Sequence, residues 1–305
     1  GFVGTWLLES FVDANQKLDL GAEVIVLSRS PDAFHKKAPH LTSLEFVQFL
    51  KGDVQEFEFP KETFTHVIHA AAEVEHMRQD PLGELSILSR GTQRVLEFAK
   101  QCKAQKFLLI SSGGVYGKQP SELKKIPENY QGAPDPCDTK SFYGEGKRLA
   151  ELLGIQFMQQ GLEVKIARGF NFVGPYLPLD AHFAIGNFIR DALRGGPIIV
   201  KGDGSPRRSY LYAADFTVWL WVILFRGISG RPYNVGSDHV VSIIELARLV
   251  ADIVDPTLKI EVKGKMLDSN LFDQYIPDTE RAKKELGLRK KISLEEGIRR
   301  TVEFC

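Results

Sequence analysis

The sequence is short of several features that mark whole classes of protein. It has only three cysteines, Cys102, Cys137 and Cys305, widely spaced and without a C-x-x-C pair. That spacing offers no metal-ligand pattern and fits a reducing compartment such as the cytoplasm. Charge of one sign is not in excess, since 39 Lys and Arg balance 39 Asp and Glu. Nothing therefore points to nucleic acid or an anionic membrane as a partner. The longest apolar run, Phe216–Phe225, is far below the roughly 20 residues a bilayer requires and reads as a buried helix. No signal peptide, internal repeat or low-complexity segment is read. The 305 residues, 43% hydrophobic and 26% charged, suffice for one large domain or two with a sizeable core.

The most informative stretch runs from Phe107 to Lys147. Phe107-Leu108-Leu109-Ile110 is a short apolar run that leads into Ser111-Ser112-Gly113-Gly114-Val115-Tyr116-Gly117. Such a run, bounded by small residues, predicts a buried strand. After a polar segment, Ser141-Phe142-Tyr143-Gly144-Glu145-Gly146-Lys147 opens a stretch to about Gln160, with Leu149, Leu152, Leu153 and Phe157 at helical spacing. Tyr143 and Lys147 then lie one turn apart on one helix face. If the strand end is near that face, Ser112 joins them. A Tyr hydroxyl, with a pKa of about 10, is a poor base at neutral pH. A nearby ammonium lowers that pKa, as would an oxidised nicotinamide. The phenolate then takes a proton from a substrate hydroxyl that Ser112 holds.

Ser112, Tyr143 and Lys147 at this spacing resemble the extended short-chain dehydrogenase/reductases, and more narrowly the nucleotide-sugar epimerase/dehydratase family. The resemblance implies an α/β Rossmann-type fold: a doubly wound parallel sheet over residues 1–170, and a smaller substrate-binding lobe over 171–305 with some segments returning to the first domain.

Further motifs fit this reading. Gly1-Phe2-Val3-Gly4 reads as the end of a phosphate loop entering a helix, where glycine lets the backbone approach a pyrophosphate. The family's first glycine and first strand would precede Gly1, so about ten N-terminal residues are expected to be absent from the sequence. Ala22–Leu27 predicts the second strand, ending at Arg29; an Arg there favours NADP over NAD, while NAD stays open. Leu44–Leu50 predicts a third strand leading to Asp53, to which the resemblance assigns the adenine amino group. Thr65–Ala72 predicts the fourth strand and its exit, where Ala70, Ala71 and Ala72 let the backbone approach the cofactor; His69 reads as a packed strand histidine. The resemblance also assigns Phe2, Val54, Ser111 and Val173, with Tyr143 and Lys147, to the cofactor, and Gly113 to the substrate.

Asp80-Pro81 and Gly91-Thr92 resemble the family's next helix, but Leu88 stands where an Asn is usual. Beyond the predicted strand Leu162–Arg168, Asn171 and Gly174-Pro175 match Arg-x-x-Asn-x-x-Gly-Pro, whose Asn touches the sugar or diphosphate. Arg208 matches the diphosphate-binding arginine, which suits phosphate because its fork donates two hydrogen bonds. A second phosphate-binding Arg is replaced by Asp273-Gln274, and Gln274 is left to make that contact. The break Leu286-Gly287-Leu288 falls within the terminal helices.

The implied substrate is a nucleoside-diphosphate sugar oxidised or reduced at its 4-position, and the implied assembly is a homodimer. Epimerisation needs only Ser112, Tyr143 and Lys147 and is placed first. An NADP-dependent 4-ketoreductase follows. A 4,6-dehydratase is third, because Gly113-Gly114 replace the family's acid pair and Glu73 or Glu75 would have to compensate. A cofactor-binding sensor without catalysis is the reading from another class.

Overall fold

The computed structural model describes residues 1–72, 80–264 and 273–305. Its centre is a parallel four-stranded sheet in the order Pro232–Val235, Val164–Gly169, Lys106–Ser112, His66–His69. A second parallel pair, Val24–Ser28 with Val47–Lys51, carries the strands expected at Ala22–Leu27 and Leu44–Leu50. The latter strand starts later than expected, because residues 45 and 46 form a turn.

The run at Phe107–Ile110 is continuously apolar because the strand is covered on both faces. Leu108 and Ile110 pack with Phe216, Trp219 and Leu220 of the Ala213–Arg226 helix. Phe107 and Leu109 pack on the opposite face with Leu96, Phe98 and Ala150. A strand sandwiched in this way has no reason to alternate apolar and polar residues. The Phe216–Phe225 run is helical as expected, although Val218 and Phe225 are exposed on its outer side.

A separate cluster unites Ile185, Phe188 and Ile189 of the Ala184–Leu193 helix with Leu246 and Val250 of Ile243–Val254. This cluster lies among residues expected in the second lobe, and it also takes in Phe2 and Val173. Asp215 joins the lobe to the chain's end: its Oδ2 accepts hydrogen bonds from the backbone N–H groups of Lys291 (2.8 Å) and Ile292 (2.9 Å). The Glu280–Leu286 helix stops at Gly287, whose φ of 71° is the left-handed cap that glycine adopts without strain.

One element was not expected. Between the helices Pro81–Ser86 and Thr92–Gln101, Ile87–Gly91 forms a π-helical turn. Ser89 Oγ donates to Leu85 O (2.7 Å) within it. Leu88, standing where the family has Asn, is completely buried. A Cβ added at Gly146 would lie 2.7 Å from Leu88 Cδ1, so this position packs the two helices together rather than extending a polar chain.

Candidate active site

In a parallel sheet all strands end on one edge, and ligands of doubly wound folds bind outside that edge. Here Arg29 follows Ser28, Gly52-Asp53 follow Lys51, and Ala70–Ala72 follow His69, while Ser112 closes Lys106–Ser112. The expected cofactor positions and Ser112 thus each follow or close a parallel strand, Arg29 and Asp53 on the two-stranded sheet and Ala70–Ala72 and Ser112 on the four-stranded one.

Ser112 caps the 3-10 turn Gly113–Tyr116, and its Oγ accepts a hydrogen bond from Gly114 N–H at 3.1 Å. The Phe142–Gln159 helix delivers Tyr143 and Lys147 to the same place. A Cβ added at Gly114 would sit 3.4 Å from Ser112 Oγ and 3.5 Å from Tyr143 Cδ1, which measures how closely the two side chains flank that glycine. Lys147 Nζ donates to Ile110 O at 2.8 Å and lies 5.8 Å from the centre of the Tyr143 ring. The structure therefore gathers Ser112, Tyr143 and Lys147.

The electrostatics differ from the simple expectation. Burial pushes the Tyr143 phenol up to about 12; the Ser112 hydrogen bond opposes this and the Glu84 charge adds to it. Burial also lowers Lys147 to about 8, against the attraction of Glu84 and Glu151. Both groups lose water, and desolvation outweighs any help that Lys147 gives the phenolate. Glu84, 3% exposed and one helix away, went unnoticed in the sequence. Buried His69 is held neutral, its pKa lowered to about 3 by desolvation and by the Lys147 charge; its Nε2 lies 2.9 Å from Thr92 Oγ1.

The donor set fits a nicotinamide dinucleotide. The Phe2–Leu18 helix has no acidic side chain in its first turn, and a Cβ added at Gly4 would meet nothing within 4 Å. A helix N-terminus without a negative side chain suits a pyrophosphate. Asp53 Oδ1 accepts from Gln55 N–H (2.9 Å), and Asp53 lines a cavity of about 300 Å³ with Gln55, Glu56 and Arg90. Other expected side chains turn elsewhere. Phe2 stacks on Phe172 (4.9 Å between ring centres), and Val173 is completely buried in the lobe core. Val54 packs over Gly91, where an added Cβ would be 2.8 Å from its Cγ1. Ser111 Oγ donates to Glu151 Oε1 at 2.5 Å, away from the partners of Ser112.

On the substrate side, Asn171 Nδ2 donates to Ser209 O (3.2 Å). Arg208 Nη2 is paired with Asp273 Oδ2 at 2.7 Å. Gln274 Nε2 donates to the carbonyls of Pro120, Ser121 and Leu123 at 3.2–3.4 Å, so its amide nitrogen secures a loop. Glu73 and Glu75 lie outside the described residues.

A sequence model described as the NAD dependent epimerase/dehydratase family matches residues 1–236. The chain belongs to that family.

Among its relatives, UDP-glucuronic acid decarboxylase 1 of Arabidopsis thaliana is 33% identical over 304 residues, covering 99% of this chain and 67% of the relative. UDP-glucuronic acid decarboxylase 4 of the same plant is 30% identical over 98% of this chain and 65% of its own length. The chain thus spans about two thirds of the length of these curated relatives. The fold is shared with a UDP-glucose 4-epimerase from Thermotoga maritima solved with UDP-glucose (TM-score 0.83, 23% identity, 100% of this chain and 95% of that one). It is also shared with a UDP-glucuronic acid 4-epimerase from Bacillus cereus solved with NAD (TM-score 0.82, 22% identity, 100% and 93%). The family and the Rossmann-type α/β fold expected from the sequence are those found. Among the described residues no helix is long and apolar enough to cross a membrane.

Proposed function

We propose that this family member is an NAD(P)-dependent enzyme that oxidises C4 of a nucleoside-diphosphate sugar and returns the hydride to the same carbon, with C4 epimerisation as the net reaction. The observation that carries this reading is the convergence of Ser112, Tyr143 and Lys147 at the end of the Lys106–Ser112 strand, next to the strand that leads into Ala70–Ala72. Tyr143 Oη takes the proton of the C4 hydroxyl and gives it back when the ketone is reduced. Ser112 Oγ holds the sugar oxygen in line. Lys147, fixed on Ile110 O, holds its charge beside the phenol. A bound oxidised nicotinamide would supply the hydride acceptor and a positive charge favouring the phenolate. Arg208 would grip the diphosphate after exchanging Asp273 for phosphate oxygens. Asn171 would face the same part of the substrate.

Similarity to UDP-glucuronic acid decarboxylases over nearly the whole chain favours a second reading. Oxidation of a hexuronic acid at C4 creates a β-keto acid, which loses carbon dioxide without a further acid–base pair. Decarboxylation therefore tolerates Gly113-Gly114, whereas dehydration does not.

The protein is incubated with UDP-glucose, UDP-galactose, UDP-glucuronic acid and dTDP-glucose, each with NAD and with NADP, and products are analysed by mass and NMR. A C4 epimer of unchanged mass supports the first reading, and loss of carbon dioxide from UDP-glucuronic acid supports the second. Loss of water refutes the argument from Gly113-Gly114. Arg29 supports NADP, and the NAD in solved relatives supports NAD. Titration of both cofactors against the parent and Arg29→Ala separates them: an NADP preference that Arg29→Ala removes assigns Arg29 to the 2′-phosphate.

A further inference from the structure

Lys147 is a buried ammonium, 4% exposed, and its Nζ donates to a neutral group, the carbonyl of Ile110 (2.8 Å). A charge taken out of water needs an opposite charge close by. Among the described residues two carboxylates act on it, Glu84 and Glu151. Glu151, one turn further along the Phe142–Gln159 helix, is already engaged. It accepts from Arg168 Nε (2.9 Å) and Nη2 (2.6 Å) and from the Ser111 hydroxyl (2.5 Å). Arg168 and Glu151 cancel each other, which leaves Glu84 to balance Lys147.

The packing puts Glu84 where this balance requires it. It sits in the Pro81–Ser86 helix, whose start is fixed by Asp80: Oδ1 accepts from Gly83 N–H at 2.9 Å and the Asp80 carbonyl from Glu84 N–H at 3.1 Å. This helix and the π-helical turn after it press on the Tyr143 helix at Gly146, the residue before Lys147. A Cβ added there would lie 2.7 Å from Leu88 Cδ1 and 3.4 Å from Leu85 Cδ1. Glu84 and Leu88 are four residues apart, share a helix face and are both buried. Leu88 fills the place of the family's usual Asn with an apolar side chain. The polar group this helix offers the site therefore comes one turn earlier, and it is a carboxylate.

On the reading that Tyr143 and Lys147 carry proton transfer at C4, we propose that Glu84 is the counter-charge of Lys147, a positioning residue that keeps the buried ammonium charged and seated beside Tyr143. The other titratable groups around Lys147 do not serve this end. His69, on the His66–His69 strand, is held neutral and lies against Thr92. The Tyr143 phenol is neutral at rest, and Arg168 has the wrong sign. Burial brings Lys147 down to about 8 even with Glu84 opposing it, so loss of that carboxylate takes the ammonium into the working pH range. The same charge discourages ionisation of Tyr143, so Glu84 trades ease of phenolate formation for a permanent cation next to it.

The test reads the ionisation of Lys147 directly by NMR. Lysine isotope-labelled at Cε is incorporated into the full chain, and the Lys147 signal is the one missing from Lys147→Met. In the parent its titration should centre at about pH 8. Glu84→Gln, which keeps the shape and removes the charge, should lower that midpoint by about one pH unit or more, and the alkaline limb of kcat/KM should move with it. An unchanged midpoint overturns the proposal, because a merely structural Glu84 alters melting and not the titration. A midpoint that moves while the limb stays overturns the role in catalysis. A stability comparison covers a Glu84→Gln protein that folds poorly: Lys147→Met strands Glu84, so the double variant Lys147→Met, Glu84→Gln should melt above Lys147→Met, and melting below it overturns the pairing. Tyr143→Phe is run in parallel. Activity retained there refutes C4 oxidation itself, whereas the titration needs no turnover and judges Glu84 alone.

Discussion

Replacing Arg168 by Met should unfold the platform under the site without touching the substrate. Arg168 lies opposite Ser111 near the end of the Val164–Gly169 strand, and its side chain is 14% exposed; that of its partner Glu151, on the Tyr143 helix, is 11% exposed. The guanidinium donates to Glu151 through Nε (2.9 Å) and Nη2 (2.6 Å), and through Nη1 to Tyr116 Oη (2.8 Å). The Glu151 charge and these hydrogen bonds hold the Arg168 pKa above its ordinary value despite burial, so it stays charged throughout. Arg168→Met removes the paired cation and leaves the Glu151 carboxylate with the Ser111 hydroxyl as hydrogen-bond partner and only the more distant Lys147 charge for balance. Removing one partner of a buried pair costs about 3–5 kcal/mol, and some residual exposure places this case near the lower end. At roughly 2–4 °C per kcal/mol for a chain of this size, melting should fall by about 6–12 °C. The double variant Arg168→Met, Glu151→Leu removes the stranded charge and should recover at least about half of the loss. Thermal unfolding followed by circular dichroism measures all three proteins. The reasoning fails if Arg168→Met melts within about 2 °C of the parent, or if the double variant loses the sum of the two single losses.

Tyr143→Phe should lower turnover by about 10²–10⁴-fold while cofactor binding survives, because the phenol carries the proton; near-normal turnover measured with saturating cofactor would sink the mechanism. His69 binds its proton less readily folded than unfolded, so as pH falls below about 6.5 the unfolded state takes up a proton that the folded state refuses until near pH 3. Stability should therefore drop with falling pH, and His69→Gln should flatten that slope by about one proton, or about 1.4 kcal/mol per pH unit, in urea titrations between pH 6 and 4. A slope unchanged by the substitution would show that His69 is protonated in the fold. A homodimer is expected by light scattering, and Leu152→Arg should dissociate it. Val95, Leu96 and Phe98 are spent on the chain's own core, which leaves exposed Leu149 and Leu152 to face a partner; a parent protein of monomer mass at micromolar concentration contradicts this.

Much of the site could be read because it depends on local spacing. Two residues four apart on a helix share a face wherever that helix lies, and a strand bounded by small residues ends where its glycines begin. Side-chain direction was harder. Ser111 and Ser112 are neighbours in a strand, so they must point to opposite faces; placing Ser112 in the site already sends Ser111 to Glu151. A cofactor contact from Ser111 would accordingly come from its backbone. Phe2 and Val173 match family positions, but their side chains serve the lobe core. Tyr275, whose hydroxyl would lie 2.5 Å from a Cβ added at Gly113 and so stands beside the site, could not be found by pattern. Its place depends on a two-residue pairing with Arg208, and nothing in its own neighbourhood distinguishes it from a packed tyrosine. The charge state of Tyr143 was equally hidden, since desolvation is set by everything packed around it and not by the one lysine a turn away.

The polar chain beneath the sheet does not stop at Tyr116. Its hydroxyl donates to Asn234 Oδ1 (2.8 Å), and Asn234 in turn donates its backbone N–H to Glu128 Oε1 (2.9 Å) and its side-chain amide to the carbonyls of Ile126 and Asp278. Tyr116, Glu128 and Arg168 come from the first 170 residues, Asn234 and Asp278 from the remainder. The two halves are therefore not interchangeable modules. A chimaera that grafts the later half of a relative onto residues 1–170, hoping to transplant sugar preference, must also transplant an amide at 234 to meet the first half. Without it, the buried Tyr116 hydroxyl would lose its acceptor and the Asp278 carbonyl its side-chain donor, and altered specificity would arrive as a folding defect.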